Sequence, residues 1–223
     1  MMAAPEAKAL RQKRRSQRRK RLRRWLVGLG LGLALLTGAL FWFWEGRGER
    51  LFYPLKFEET IVTVSREAGV EPSLVAGLIL AESGFKSEAR SCVGAIGLMQ
   101  LMPPTAQWVA ELHSLPFDAE EPQSLYDPEL NIYLGSYYLA WLLERFQQQK
   151  VEALAAYNAG QHQVDEWLER GSVLRIEEIP VAETRFFVQR VLDNQEEYWK
   201  LYPQLRPNGG EYSLWSGEYG QKE

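Results

Sequence analysis

From residue 54 onward hydrophobic positions recur three and four apart, and no run alternates with period two, so the chain reads as a succession of helices and not as sheet. The sharpest case is LVAGLILAESGF, residues 74–85, where Leu74, Val75, Leu78 and Ile79 form an apolar stripe on a helix expected over Pro72–Ser83. Glu82 falls four residues after Leu78 and seven after Val75, so the stripe ends on a carboxylate. An ionised carboxylate out of water costs several kcal/mol, and such a group is paired, shifted in pKa or used for chemistry.

The break GVEPS separates that helix from an earlier one over 54–68, and a Gly, Ser and Ala rich loop follows over 84–98. The next helix starts at Pro103 or Pro104 and ends near His113, before the irregular SLPFDAEEPQSLYD. Asp127 ahead of Pro128 predicts an N-cap for a long helix through Phe146, with Ile132, Gly135, Leu139, Leu142 and Leu143 on its core side. A short helix over 151–158 is stopped by Gly160, another covers about 163–170, and a last one runs from 181 to about 201. Residues from Pro203 on lack periodicity and read as an extended tail.

Upstream the pattern changes. Residues 25–44, WLVGLGLGLALLTGALFWFW, carry no charge over a length sufficient to cross a bilayer as a helix. Residues 1–24 hold 11 of the 26 Lys and Arg and one acid, Glu6, which places that end in the cytoplasm and the remainder outside. A cleaved leader is the rival, but Thr37 and Ala39 make a poor cleavage site and the apolar run continues into bulky aromatics, so an uncleaved anchor is expected. The expected organisation is a basic cytoplasmic tail over 1–24, a transmembrane helix over 25–44, a spacer over 45–53, a globular domain over 54–202 and a tail over 203–223.

Past residue 24 the chain has 15 bases against 28 acids, which argues against nucleic acid as a partner; the positive-inside rule accounts for the basic tail. The single cysteine, Cys92, cannot form an internal disulfide, so an exported domain must rely on its core. His113 and His162 lie far apart without metal-ligand spacing, and there is no Gly-rich phosphate loop, so no metal or other cofactor is expected.

Four separated pieces, AESGF (81–85), GAIGLMQLMPPTA (94–106), AYNAG (156–160) and IPVAETRFFVQRVL (179–192), together resemble the soluble-lytic-transglycosylase family. LYDPELNIYLGSYYLAWLLERF is also similar to a helix of that family. The resemblance implies a mainly α, lysozyme-like domain of the goose-lysozyme type that cleaves peptidoglycan glycan strands between N-acetylmuramic acid and N-acetylglucosamine. It implies Glu82 as acid and base, assisted by the substrate's acetamido group and closing a 1,6-anhydro ring. By the same resemblance Ser91 hydrogen-bonds near the carboxylate, Gln100 and Met102 line the glycan groove, Tyr157 and Asn158 sit over the cleaved bond, and Glu183 binds sugar.

Each also has a plainer reading. Ser91 suits a turn, Gly160 a left-handed helix cap, and Glu183 a helix N-terminus that favours negative charge. Met99 and Leu98 read as core. Phe187 stands where the family usually has tyrosine, so a substrate hydrogen bond is lost there or packing is altered. Two rival readings are a goose-type muramidase, which delivers water, and a non-catalytic peptidoglycan-binding module; an intact Glu82 disfavours the second. Glu88 is the nearest other acid and looks solvated.

Overall fold

The computed structural model describes residues 4–43, 48–115, 117–168 and 173–206. The chain divides into two units, Met1–Phe52 and Tyr53–Glu223. The first contains α1 (Ala4–Phe43), in which Gln17–Phe41 is long and apolar enough to cross a membrane, with mean hydropathy 1.6, and the short α2 (Glu49–Phe52). Trp44 and residues 45–47, expected to end the span and begin the spacer, lie outside the described residues.

The second unit is helical, with only isolated bridges between Arg90, Ile96 and Leu101 among its described residues. Its helices are α3 (Glu58–Ala68), α4 (Pro72–Ser83), α5 (Pro103–Leu112), α6 (Pro128–Arg145), α7 (Lys150–Ala159), α8 (Gln161–Leu168) and α9 (Ala182–Leu201). The expected helix over 54–68 begins only at Glu58, because Phe57 takes a left-handed φ of 56°. Asp127 caps α6 as expected: its carboxylate accepts from the Leu130 N–H at 2.8 Å, and Pro128 occupies the first helical position. The expected helix over 163–170 is α8; Arg170 lies outside the described residues.

Helix α4 forms the axis of the larger core. Every residue from Pro72 to Ile79 is buried, so the expected single stripe is in fact burial all the way round. Packing against α9 explains the small residues on its other side. A Cβ on Gly77 would lie 2.8 Å from the Gln195 nitrogen and 2.9 Å from the Val191 oxygen, so glycine is what allows the two backbones to touch. Asn194 Nδ2 donates to the Gly77 oxygen at 3.2 Å, and Gln195 Nε2 and Lys150 Nζ both donate to the Glu71 carboxylate. Glu71 thus meets residue 195 and Gly77 meets residues 191–195, so α4 and α9 run antiparallel, and the end of α4 lies toward the start of α9.

A smaller core, with Ile96, Leu101, Ala106, Val109, Ala110, Leu125 and Leu134, joins the 84–102 segment to α5 and α6. The chain does not become an extended tail at Pro203. Pro203–Leu205 forms a 3-10 turn that buries Leu205, while the Tyr198 and Tyr202 hydroxyls donate to the Pro54 and Tyr53 oxygens at 2.6 and 2.8 Å. Residues 207–223, assigned to the same tail, lie outside the described residues.

Candidate active site

Glu82 sits in the last turn of α4, where the helix leaves full burial: residues 80–83 are half-buried after eight buried ones. Gly84 closes the helix at φ 61°, donating its N–H to the Leu80 oxygen at 3.1 Å. Burial raises the Glu82 carboxyl from its usual 4.5 to about 7, against a lowering influence from the Arg190 charge. Among the described residues no acid contributes to that shift. A desolvated carboxyl therefore closes the apolar run.

Tyr157, in α7, lies within electrostatic reach of Glu82: burial, then the Glu82 charge, then Tyr138 push its phenol well above the usual range. Its hydroxyl donates to the Met99 oxygen at 2.9 Å. The phenol proton is thus engaged within the fold, and the phenol is held neutral and pinned to the 84–102 segment. Its ring is 5.1 Å from that of Tyr138. Asn158 follows on the exposed side. Gly160 ends α7 at φ 89°, ψ 144°, which is glycine-favoured extended backbone and not the left-handed helical cap expected.

The loop after α4 is stapled from within. Ser91 Oγ accepts from the Ala95 N–H at 2.9 Å, so this serine does form a turn, with its hydroxyl proton still able to donate. Gln100 has φ 48°, and its Nε2 donates to the Gly97 oxygen at 2.8 Å and the Ala89 oxygen at 3.2 Å. Its amide nitrogen is engaged inside the loop, which leaves the Oε1 acceptor for the groove role the resemblance implies. Met102 is 39% exposed and precedes Pro103 of α5, whereas Leu98 and Met99 are in the core, as their sequence reading held.

Glu183 is exposed in the first turn of α9. Phe187 is 3% exposed and packs in the core, so the missing hydroxyl is a matter of packing and not of an exposed donor. Among the described residues no group of three His, Cys, Asp or Glu side chains could hold a metal ion.

The sequence profile of the Transglycosylase SLT domain family matches residues 59–179, from the start of α3 to the approach to α9. The chain belongs to that family. The soluble lytic murein transglycosylase of Salmonella typhimurium is 35% identical over 164 residues, 71% of this chain and 24% of that protein. Its Escherichia coli counterpart is 31% identical over 191 residues, 83% of this chain and 28% of that protein. This SLT-family chain therefore spans about a quarter of these relatives' length. Among solved structures, an inactive glutamate-to-glutamine mutant of lytic transglycosylase Slt from Pseudomonas aeruginosa is 38% identical with TM-score 0.63, covering 67% of this chain and 25% of that one. The 70 kDa soluble lytic transglycosylase of Escherichia coli matches at 31% identity and TM-score 0.63, over 70% of this chain and 26% of that one.

Two residues of this SLT-family site escaped the sequence reading. Asn131 is fully buried and uses its whole amide: Oδ1 accepts from the Met99 N–H at 2.8 Å, and Nδ2 donates to the Leu125 and Ile96 oxygens at 2.9 and 3.0 Å. It fixes the segment whose Met99 oxygen receives Tyr157. The available signal was an amide four residues before Gly135 and eight before Leu139, a polar group in line with an apolar stripe. The second is Arg190, seven residues after Glu183 and hence on the same side of α9.

Proposed function

We propose that the chain is a membrane-anchored lytic transglycosylase that cleaves the bond between N-acetylmuramic acid and N-acetylglucosamine in peptidoglycan, with Glu82 as its single acid and base. The observation that carries this is the Glu82 carboxyl in the half-buried last turn of α4, raised to about 7 by desolvation, with no acid among the described residues contributing to the shift. A group poised there is protonated often enough at neutral pH to act as an acid and is easily ionised afterwards.

The step balances with one carboxyl. Glu82 gives its proton to the glycosidic oxygen as the bond to the anomeric carbon breaks, and the acetamido oxygen of the muramyl sugar closes on that carbon. Ionised Glu82 then takes the proton of the same sugar's C6 hydroxyl, whose oxygen displaces the acetamido group and forms the 1,6-anhydro ring. Glu82 ends protonated. Arg190 favours the transient carboxylate, and the negative end of α4 opposes it. Tyr157, Asn158, Ser91, Met102, the Gln100 acceptor and Glu183 provide the polar and apolar contacts to the sugars. Hydrolysis usually employs a second carboxylate to activate water, and among the described residues no acid perturbs Glu82. The relatives' names and the inactivating glutamate-to-glutamine change in the Pseudomonas aeruginosa protein support this reading.

The Gln17–Phe41 span supports anchoring, with the basic end in the cytoplasm and the catalytic domain on the wall side. A related protein from Actinobacillus pleuropneumoniae, 34% identical over 106 residues (44% of this chain, 28% of that protein), is named membrane-bound lytic murein transglycosylase C. The deciding experiment is digestion of peptidoglycan in heavy-oxygen water followed by mass spectrometry. Anhydro ends free of label are expected, and labelled reducing ends would replace the lyase with a goose-type muramidase.

A further inference from the structure

Helix α9 is the element nearest the end of α4 that shows solvent an unusual set of side chains. Thr184, Phe187, Val188, Val191, Asn194 and Tyr198 are its buried residues. The opposite surface exposes Glu183, Phe186 and Arg190, at spacings of three, four and seven residues. Phe186 is 74% exposed, as far out of the core as Leu35 in the apolar α1. Arg190 forms no ion pair among the described residues, and Asp193, the nearest acid C-terminal to it on α9, is held by Gln189 Nε2 at 2.7 Å. A bare aromatic ring one turn from an exposed guanidinium suits a ligand with an apolar stem and a carboxylate.

The chemistry of the bond assigned above supplies such a group. In a muramyl sugar the carbon whose bond is broken and the carbon that carries the lactyl ether belong to one ring, separated by a single carbon. The lactyl substituent, with any peptide on it, must therefore leave the site within a few bonds of Glu82. The antiparallel packing, with Gly77 against residues 191–195, brings the start of α9 toward the end of α4, and the Arg190 charge is felt at Glu82.

We propose that the exposed face of α9 formed by Phe186 and Arg190 receives the carboxylate-bearing substituent on O3 of the muramyl sugar, with the Phe186 ring under its apolar part and the Arg190 guanidinium on its carboxylate. The inference takes the muramyl substrate from the function proposed above. It makes α9 the element that distinguishes muramyl strands from sugars lacking the lactyl group.

The test measures binding by the full chain in detergent on a Glu82→Gln background, so that the answer does not depend on the proposed chemistry. Three ligands separate the sources of the carboxylate: an N-acetylglucosamine oligomer with none, glycan strands stripped to the lactyl acid, and strands carrying stem peptides. Arg190→Gln should weaken binding of peptide-bearing strands about tenfold, the worth of a charge-assisted contact, and leave the N-acetylglucosamine oligomer unchanged. Arg190→Lys should recover part of the loss, and Phe186→Ala should reproduce it for peptide-bearing strands. Weakening on peptide-bearing strands alone assigns a carboxylate of the peptide, since the lactyl carboxyl is there an amide, whereas equal weakening on both strands assigns whichever carboxylate the O3 substituent ends in; both support the site. Equal weakening on all three ligands, no weakening on any, or no binding at all would overturn it. Failure of the lytic reading shows separately, as wild-type chain that leaves peptidoglycan uncut.

Discussion

Replacing Glu82 by glutamine should make the protein more stable, and only above acidic pH. The side chain keeps its shape and loses the charge that burial penalises. The folded carboxyl sits at about 7 against an ordinary 4.5, so native protein holds a proton that unfolded chain releases through that window. Its stabilising effect is complete below 4.5 and is lost as pH rises through about 7. At ~1.4 kcal/mol per pKa unit, the wild type forfeits about 3 kcal/mol by pH 8, a value that solvent near the half-buried side chain reduces somewhat. The glutamine variant forfeits none of it. For a domain of this size that corresponds to a rise in Tm of roughly 5–10 °C at pH 8, fading to nothing near pH 4. Thermal unfolding of the full chain in mild detergent, variant beside wild type at several pH values, reads this directly. A stability gain that is the same at pH 4 and pH 8, or no gain at pH 8, would show that Glu82 is not held in a desolvated site, and the acid role would fall with it.

Turnover should decline on the alkaline side with a midpoint near 7, since the proton donor is the form lost as pH rises through the raised Glu82 value; a pH profile of initial rates flat to pH 9 would contradict that. The Glu82→Gln variant should itself lose about 10² to 10⁴ fold in turnover, so that greater stability and lost activity come from one substitution. Asn131→Ala leaves the Met99 N–H and the Ile96 and Leu125 oxygens without partners in the core, and should cost about 3–5 kcal/mol in denaturant unfolding, with a loss below about 1 kcal/mol removing its proposed importance. A reporter fused at the C-terminus should work only if it is active outside the cytoplasm; cytoplasmic activity would reverse the anchor's orientation.

Features fixed by neighbours in sequence were legible in the chain. Asp127 and Pro128 start α6 by chemistry confined to four residues, and Pro72 and Gly84 bracket α4 in the same way. Features fixed by a distant contact were not. Ala76 and Gly77 contribute little hydrophobicity, so α4 read as one apolar face, although Gly77 marks the backbone contact with α9. Gln100 was placed in the groove by resemblance, but nothing in its local sequence signals that a φ of 48° turns its amide nitrogen back on Gly97 and Ala89. Phe187 drew attention as a departure in a motif, yet it is the next residue toward the N-terminus, Phe186, that faces water.

The distinction bears on how the site works. Glu82 itself was visible because a carboxylate at the end of an apolar run conflicts with its surroundings, and that conflict is the source of its raised pKa. What determines whether the conflict is useful is non-local. Gly77 brings α9 close enough for Arg190 to limit the shift, and Asn131 fixes the Met99 oxygen that holds Tyr157 beside the carboxyl. Without Arg190, burial would act unopposed on the carboxyl and the base step would weaken. Without the Met99 anchor, the phenol would be free to turn its proton onto Glu82 and favour the ionised form, weakening the acid step. A single carboxyl that serves in both directions, as proposed for Glu82, needs both constraints, and each comes from an element remote from α4 in sequence.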